Sequence, residues 1–249
     1  MQFAPCASSE CCRPVSRPHI VARSQTRPLI SGIVDDRGYT SNMNPKAGSE
    51  GRGIRRFLSV PILYSMFQSA VGAHRARVRF VSEHVRPEVG QRVLDIGCGT
   101  GELVELLKDQ TYVGFDPSPS YIAAARARFG HLGEFEIGSV TDPPPLPGTF
   151  DLAVVVGVLH HLPDESARLL ITLARAQLRP NGRLITLDPV FVPHQNPMAR
   201  ALAKGDRGDF VRFPEQYAAL ASGIFGSVAT IEHHDYLRLP YSHLVMECE

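Results

Sequence analysis

Cysteine is scarce in this chain: five in 249 residues, three of them (Cys6, Cys11, Cys12) within the first twelve positions. With Cys98 and Cys248 far apart, no zinc-ligand spacing and no disulfide framework emerges, and a reducing compartment, the cytoplasm, fits best. No metal site is expected. No stretch approaches the ~18 consecutive apolar residues of a transmembrane helix, so the chain reads as a soluble protein with no membrane partner. An excess of charge is missing too: 26 Lys plus Arg stand against 25 Asp plus Glu, a net +1. That balance speaks against a dedicated nucleic-acid binder, which carries a basic surplus.

The charge that is present is unevenly spread. Residues 1–42 hold Arg13, Arg17, Arg23, Arg27 and Arg37 against Glu10, Asp35 and Asp36, while Pro5, Pro14, Pro18 and Pro28 break any long amphipathic helix there. An Arg- and Ser-rich, acid-poor start resembles an organelle transit peptide. The plainer reading is a disordered extension over residues 1–50, or a start placed upstream of Met43. From Pro61 the pattern changes. Leu63, Met66, Phe67, Ala70, Val71, Val78, Val81 and Val85 recur at helical spacing, which predicts a helical lid within residues 51–90, opened by Pro61.

Residues 91–249 alternate strand and helix. Arg92 to Ile96 is a short apolar run closed by Gly97-Cys98-Gly99-Thr100-Gly101, and a helical stretch follows through Leu107. Tyr112 to Asp116 reads as a strand, Ser120 to Phe129 as a helix and Phe135 to Ile137 as a strand. Phe150 to Val156 is continuously apolar, as a central parallel strand covered on both faces must be. A helix over Pro163 to Leu178, a Pro180-Asn181-Gly182 turn and a strand over Leu184 to Asp188 come next. After a polar segment, a helix near Glu215 to Ser222 precedes two strands, Val228 to His233 and Leu244 to Cys248, close enough to pair antiparallel. This order predicts an α/β fold, a doubly wound and mostly parallel sheet.

Ligands of such sheets sit beyond the carboxyl ends of the central strands, where the strand order reverses. The glycine cluster lies there, with Asp95 two residues ahead of it. The spacing is G-x-G-x-G; a dinucleotide fingerprint needs G-x-G-x-x-G, and the sixth position is Glu102. An acidic side chain beside the turn opposes a pyrophosphate and suits a ligand with an ammonium and a sulfonium. Asp116 closes the second strand nineteen positions after Gly97, about where an acidic residue meets ribose hydroxyls. Each signal alone also fits an ordinary structural turn or strand end; in register they point to a nucleoside.

Three segments carry a resemblance to the class I S-adenosylmethionine-dependent methyltransferases: Val93 to Gly101, Val113 to Asp116, and Phe150-Asp151 on through Gly157-Val158-Leu159-His160-His161-Leu162. The turn at Leu178 to Leu184 is similar as well. The resemblance spans roughly residues 60–249 and implies a seven-stranded sheet with an antiparallel last strand, and S-adenosyl-L-methionine as cofactor. By position it implies that Asp95, Gly97, Cys98, Gly99 and Gly101 hold the methionine part, Asp116 the ribose, Ser139 and Val140 the adenine edge, and that Gly157 borders the site. Many members carry an acid where Ser139 stands.

His160 and His161, just past the fourth strand, are the candidate general bases for an alcohol or phenol acceptor; the plainer reading is that they cap the next helix. In the charge-dense run from Asp206 to Arg212, Arg207 and Arg212 are candidates for an acidic small-molecule substrate, with Tyr64 as an aromatic neighbour. Methyl transfer to a small molecule, with oxygen as the preferred acceptor, is the function expected. The alternatives are a cofactor-holding module without turnover and a protein or RNA methyltransferase.

Overall fold

The computed structural model describes residues 72–205 and 208–249. The tail over 1–50, most of the first helix with Tyr64, and Arg207 lie outside the described residues. Of the residues expected in that helix, the described ones form α1 (Ala73–Phe80), which starts after the left-handed Gly72, continues into a π-helical turn over Val81–Val85 and ends at Arg86, whose φ of 45° is left-handed. Phe80, Val81 and Val85 are buried in the core.

The strands are β1 (Arg92–Ile96), β2 (Thr111–Asp116), β3 (Glu134–Ile137), β4 (Phe150–Val156), β5 (Leu178–Pro189), β6 (Val228–His233) and β7 (His243–Cys248). They form one seven-stranded sheet ordered β3-β2-β1-β4-β5-β7-β6. Only β7 runs against its neighbours, β5 and β6. The order reverses between β1 and β4, which places the crevice of a doubly wound sheet at their carboxyl ends.

The helices follow from local chemistry. In α2 (Pro119–Phe129) the Ser118 hydroxyl accepts the Tyr121 N–H as N-cap, and Pro119 occupies the first turn, where its missing N–H costs nothing. In α3 (Asp164–Gln177), Ala167, Leu170, Ile171 and Ala174 form one buried stripe at helical spacing. Together with α5 (Pro214–Ala221), α3 covers one face of the sheet through Leu94, Ile96, Ala153 and Val155, while α1 and α2 cover the other through Val93, Leu152, Val154 and Ile185.

Three sequence expectations change. The helix expected after the glycine turn is only a 3-10 turn, Val104–Leu106. The Pro180 turn is absorbed into β5 as an irregularity, since Phe150 faces Leu178 whereas Leu152 faces Arg183. An additional helix, α4 (Pro197–Gly205), lies in the segment read only as polar. Among the described residues, no helix is long and apolar enough to cross a membrane.

Candidate functional site

The glycine turn leaves β1 with three left-handed residues: Gly97, Gly99 and Gly101, at φ of 78°, 55° and 83°. A side chain is excluded at two of them by neighbours, since a Cβ would meet Val158 Cγ2 at 2.5 Å from Gly97 and Phe135 Cε1 at 2.8 Å from Gly101. At Gly99 a Cβ would have nothing within 4 Å, so the backbone there faces open space. Val158 against Gly97 also joins the glycine turn to the loop after β4.

Asp116 ties the turn to β2. Its Oδ2 accepts the Gly99 N–H at 3.1 Å and its Oδ1 the Ser118 N–H at 2.8 Å, leaving lone pairs on both oxygens. Burial raises its pKa, and the two N–H donors oppose that shift. Asp95 lies beneath the turn, 3% exposed, and its Oδ2 accepts the Tyr112 hydroxyl at 2.6 Å. Burial pushes its carboxyl up to about 7; the Tyr112 hydrogen bond works against that, and the nearby Asp116 and Glu102 add to it. Cys98 is buried, and burial holds its thiol well above the usual range, so it acts as a small apolar residue rather than a nucleophile. With no α-helix behind it, the turn offers backbone N–H groups and carboxylates, and no helix dipole.

At the β3 end, the Ser139 hydroxyl bonds Thr141 Oγ1 and accepts the Asp142 N–H, so it braces its own loop; Val140 packs on the core. Past β4, Gly157 has φ of 67° and a Cβ there would stand 3.8 Å from His160 Cε1. His160 is buried. Its backbone N–H and its Nδ1 both meet Asp188 Oδ1, at 3.1 and 2.8 Å. The carboxylate acceptor places the proton on Nδ1 and makes Nε2 the basic nitrogen. His161 is exposed, its ring 4.0 Å from that of His160.

The His160–Asp188 pair went unrecognised in the sequence, although a signal existed: β4 and β5 are adjacent and parallel, with Val156 opposite Leu187. That register brings Gly157 level with Asp188, and the 3-10 turn Leu159–His161 that follows it sets His160 against the carboxylate. Gly208 was also missed as more than part of a charged run. It lies so close over the His160 ring that a Cβ would sit 2.0 Å from Cδ2.

Arg212 does not fit a substrate role. It is 5% exposed, and its five N–H groups are all used: on Asp164 Oδ1 twice and on the carbonyls of Leu159, Phe210 and Leu162. It clamps the His160 turn instead. A depression ringed by Gln91, Asp151, Arg179 and Asn181 opens at the amino ends of β1, β4 and β5, opposite the glycine turn.

Comparison with known proteins agrees with the geometry. Residues 93–182 match a family model described as a methyltransferase domain. The chain is 31% identical over 133 residues to the ubiquinone biosynthesis O-methyltransferase of Xanthomonas axonopodis pv. citri (strain 306), covering 51% of this chain and 53% of that protein. It is 33% identical over 152 residues to the trans-aconitate 2-methyltransferase of Deinococcus radiodurans, covering 53% and 57%. The chain thus spans about half the length of these curated relatives. Magnesium protoporphyrin IX methyltransferase from Synechocystis PCC 6803 shares the fold, with a TM-score of 0.55, 19% identity, and coverage of 78% of this chain and 96% of that one. Residues 93–182 are thus similar to methyltransferase domains, in line with the resemblance to the class I S-adenosylmethionine-dependent methyltransferases.

Proposed function

We propose that this protein transfers the methyl group of S-adenosyl-L-methionine to a hydroxyl of a small molecule. The observation that carries the reading is the meeting, at the carboxyl ends of β1, β2 and β4, of an open glycine cradle, a ribose-type carboxylate and a carboxylate-held histidine. The residues suit that cofactor: the bare backbone at Gly99 leaves room, Asp116 keeps acceptor lone pairs for a diol, and Asp95, once ionised above about pH 7, lends negative field to a cationic ligand. Gly97, Cys98 and Gly101 shape the cradle; Ser139 and Val140 border the adenine side, with the Ser139 hydroxyl and N–H both engaged within their own loop. When bound, the cofactor supplies an electrophilic methyl on a sulfonium.

The chain's part is to orient and deprotonate the acceptor. Asp188 fixes both the backbone and the ring of His160, and Nε2 is the atom that takes the hydroxyl proton in this reading. Gly157, lacking a side chain, leaves the Cε1 edge of the ring approachable. His161 stands at the exposed rim. Two relatives named as an O-methyltransferase and as an enzyme acting on trans-aconitate support a small oxygen acceptor. An acidic substrate now rests on Arg207 alone among the two arginines.

The test is incubation of the full chain with methyl-labelled cofactor and a small-molecule extract, beside protein and RNA fractions, read by mass spectrometry. Label is expected in a hydroxyl-bearing small molecule. Asp188→Asn should slow turnover by roughly 10²–10⁴ while leaving cofactor affinity within about threefold. Label confined to protein or RNA, or no label in any fraction, contradicts the reading.

A further inference from the structure

A second cluster of ligating side chains lies outside the glycine turn and the histidine pair, where the π-helical turn after α1 meets β6 and β7. A π-helical turn shifts side-chain register by one residue and is frequent at functional positions; here it carries the buried His84 next to the exposed Glu83. His84 is 6% exposed and lies between two partners: its Nδ1 meets Glu247 Oε1 at 2.7 Å and its Nε2 meets His233 Nε2 at 2.8 Å. One donor atom each from Glu83, His84 and His233 lies within 4.8 Å of the others, and this is the only such group of three among the described residues.

We propose that Glu83, His84 and His233 form a zinc(II) site, with His84 oriented by Glu247. Two imidazole nitrogens and a carboxylate are a zinc donor set, and three protein ligands leave a fourth position for water. A histidine that binds zinc through one nitrogen commonly donates its other N–H to a carboxylate, which fixes the tautomer. Glu247 holds His84 Nδ1 in this way and directs the Nε2 lone pair at His233.

Two features of the site must yield. Nitrogens ~2.05 Å from one tetrahedral ion stand ~3.3 Å apart, so the imidazoles open by about half an ångström from their present contact. His233 is on the edge strand β6 and only partly buried, which permits that movement. Glu83 accepts Arg79 Nε at 2.8 Å, Arg79 Nη2 at 3.4 Å and the Tyr236 hydroxyl at 3.3 Å, and a carboxylate retains a lone pair beyond those three donors. The ion would clip the end of α1 to the sheet edge, independently of methyl transfer.

The experiment uses the full chain without a polyhistidine tag, stripped with chelator and titrated with zinc chloride by calorimetry. One equivalent is expected to bind with micromolar or tighter affinity. X-ray absorption of the zinc-loaded, unsubstituted chain should show two imidazoles in a nitrogen and oxygen shell. His233→Ala should weaken binding at least tenfold, and Glu247→Gln ten- to hundredfold. Absence of one-equivalent binding, sulfur in the shell from Cys6, Cys11 or Cys12, or unchanged affinity in His233→Ala overturns the proposal.

Discussion

Asp95 shows how one buried carboxyl links stability to ligand preference. In an unfolded chain it titrates near the ordinary ~3.9, whereas in the fold burial raises it to about 7. The native state therefore keeps a proton that the unfolded state releases, and stability falls as pH rises from about 4 to about 7, then levels off. Asp95→Asn removes the cost of ionisation, because a neutral amide replaces the carboxylate beneath the turn. Urea denaturation should show the variant gaining stability relative to the parent between pH 5 and pH 8; a parallel pH dependence in the two contradicts the assignment. The same substitution removes negative field from the cradle. Asp95 and Asp116 stand out as candidate site residues from their spacing to the glycines. The state of Asp95 does not, because it depends first on burial beneath the turn, with Tyr112 opposing the shift from the neighbouring strand.

Elements were readable where side chains on one segment decide them. The buried run of β4 and the stripe of α3 needed no partner to be recognised. The segment after the glycine turn failed because Leu103, Val104 and Leu107 fit a helical stripe equally well, and only the return path to β2 at Thr111 shortens it to a 3-10 turn. Arg212 failed for a related reason: an arginine in a charged run reads as solvated until three carbonyls from two segments surround it. Replacing it leaves those acceptors without donors, at about 1–3 kcal/mol for each buried group. Arg212→Met should lose at least about 2 kcal/mol in urea denaturation and slow turnover through a slackened His160, with cofactor affinity kept. Unchanged stability with a raised substrate KM would restore a substrate role for Arg212.

At the scale of the whole molecule, the sheet order decides where chemistry sits. The reversal between β1 and β4 gathers residues far apart in the chain, from Asp95 to Asp188, at one end of the sheet. The opposite edge, at β6 and β7, collects the His84 cluster, which no spacing in the sequence announces because its members lie 149 and 163 residues apart. The central claim concerns the first end: the glycine turn and Asp116 hold S-adenosyl-L-methionine and not a dinucleotide. It is tested most directly by calorimetric titration of the full chain and of Asp116→Ala with S-adenosyl-L-methionine and with NAD. The account predicts one equivalent of S-adenosyl-L-methionine bound by the parent, at least tenfold weaker binding by the variant, and no binding of NAD. Binding of NAD instead, or S-adenosyl-L-methionine affinity indifferent to Asp116→Ala, would contradict it.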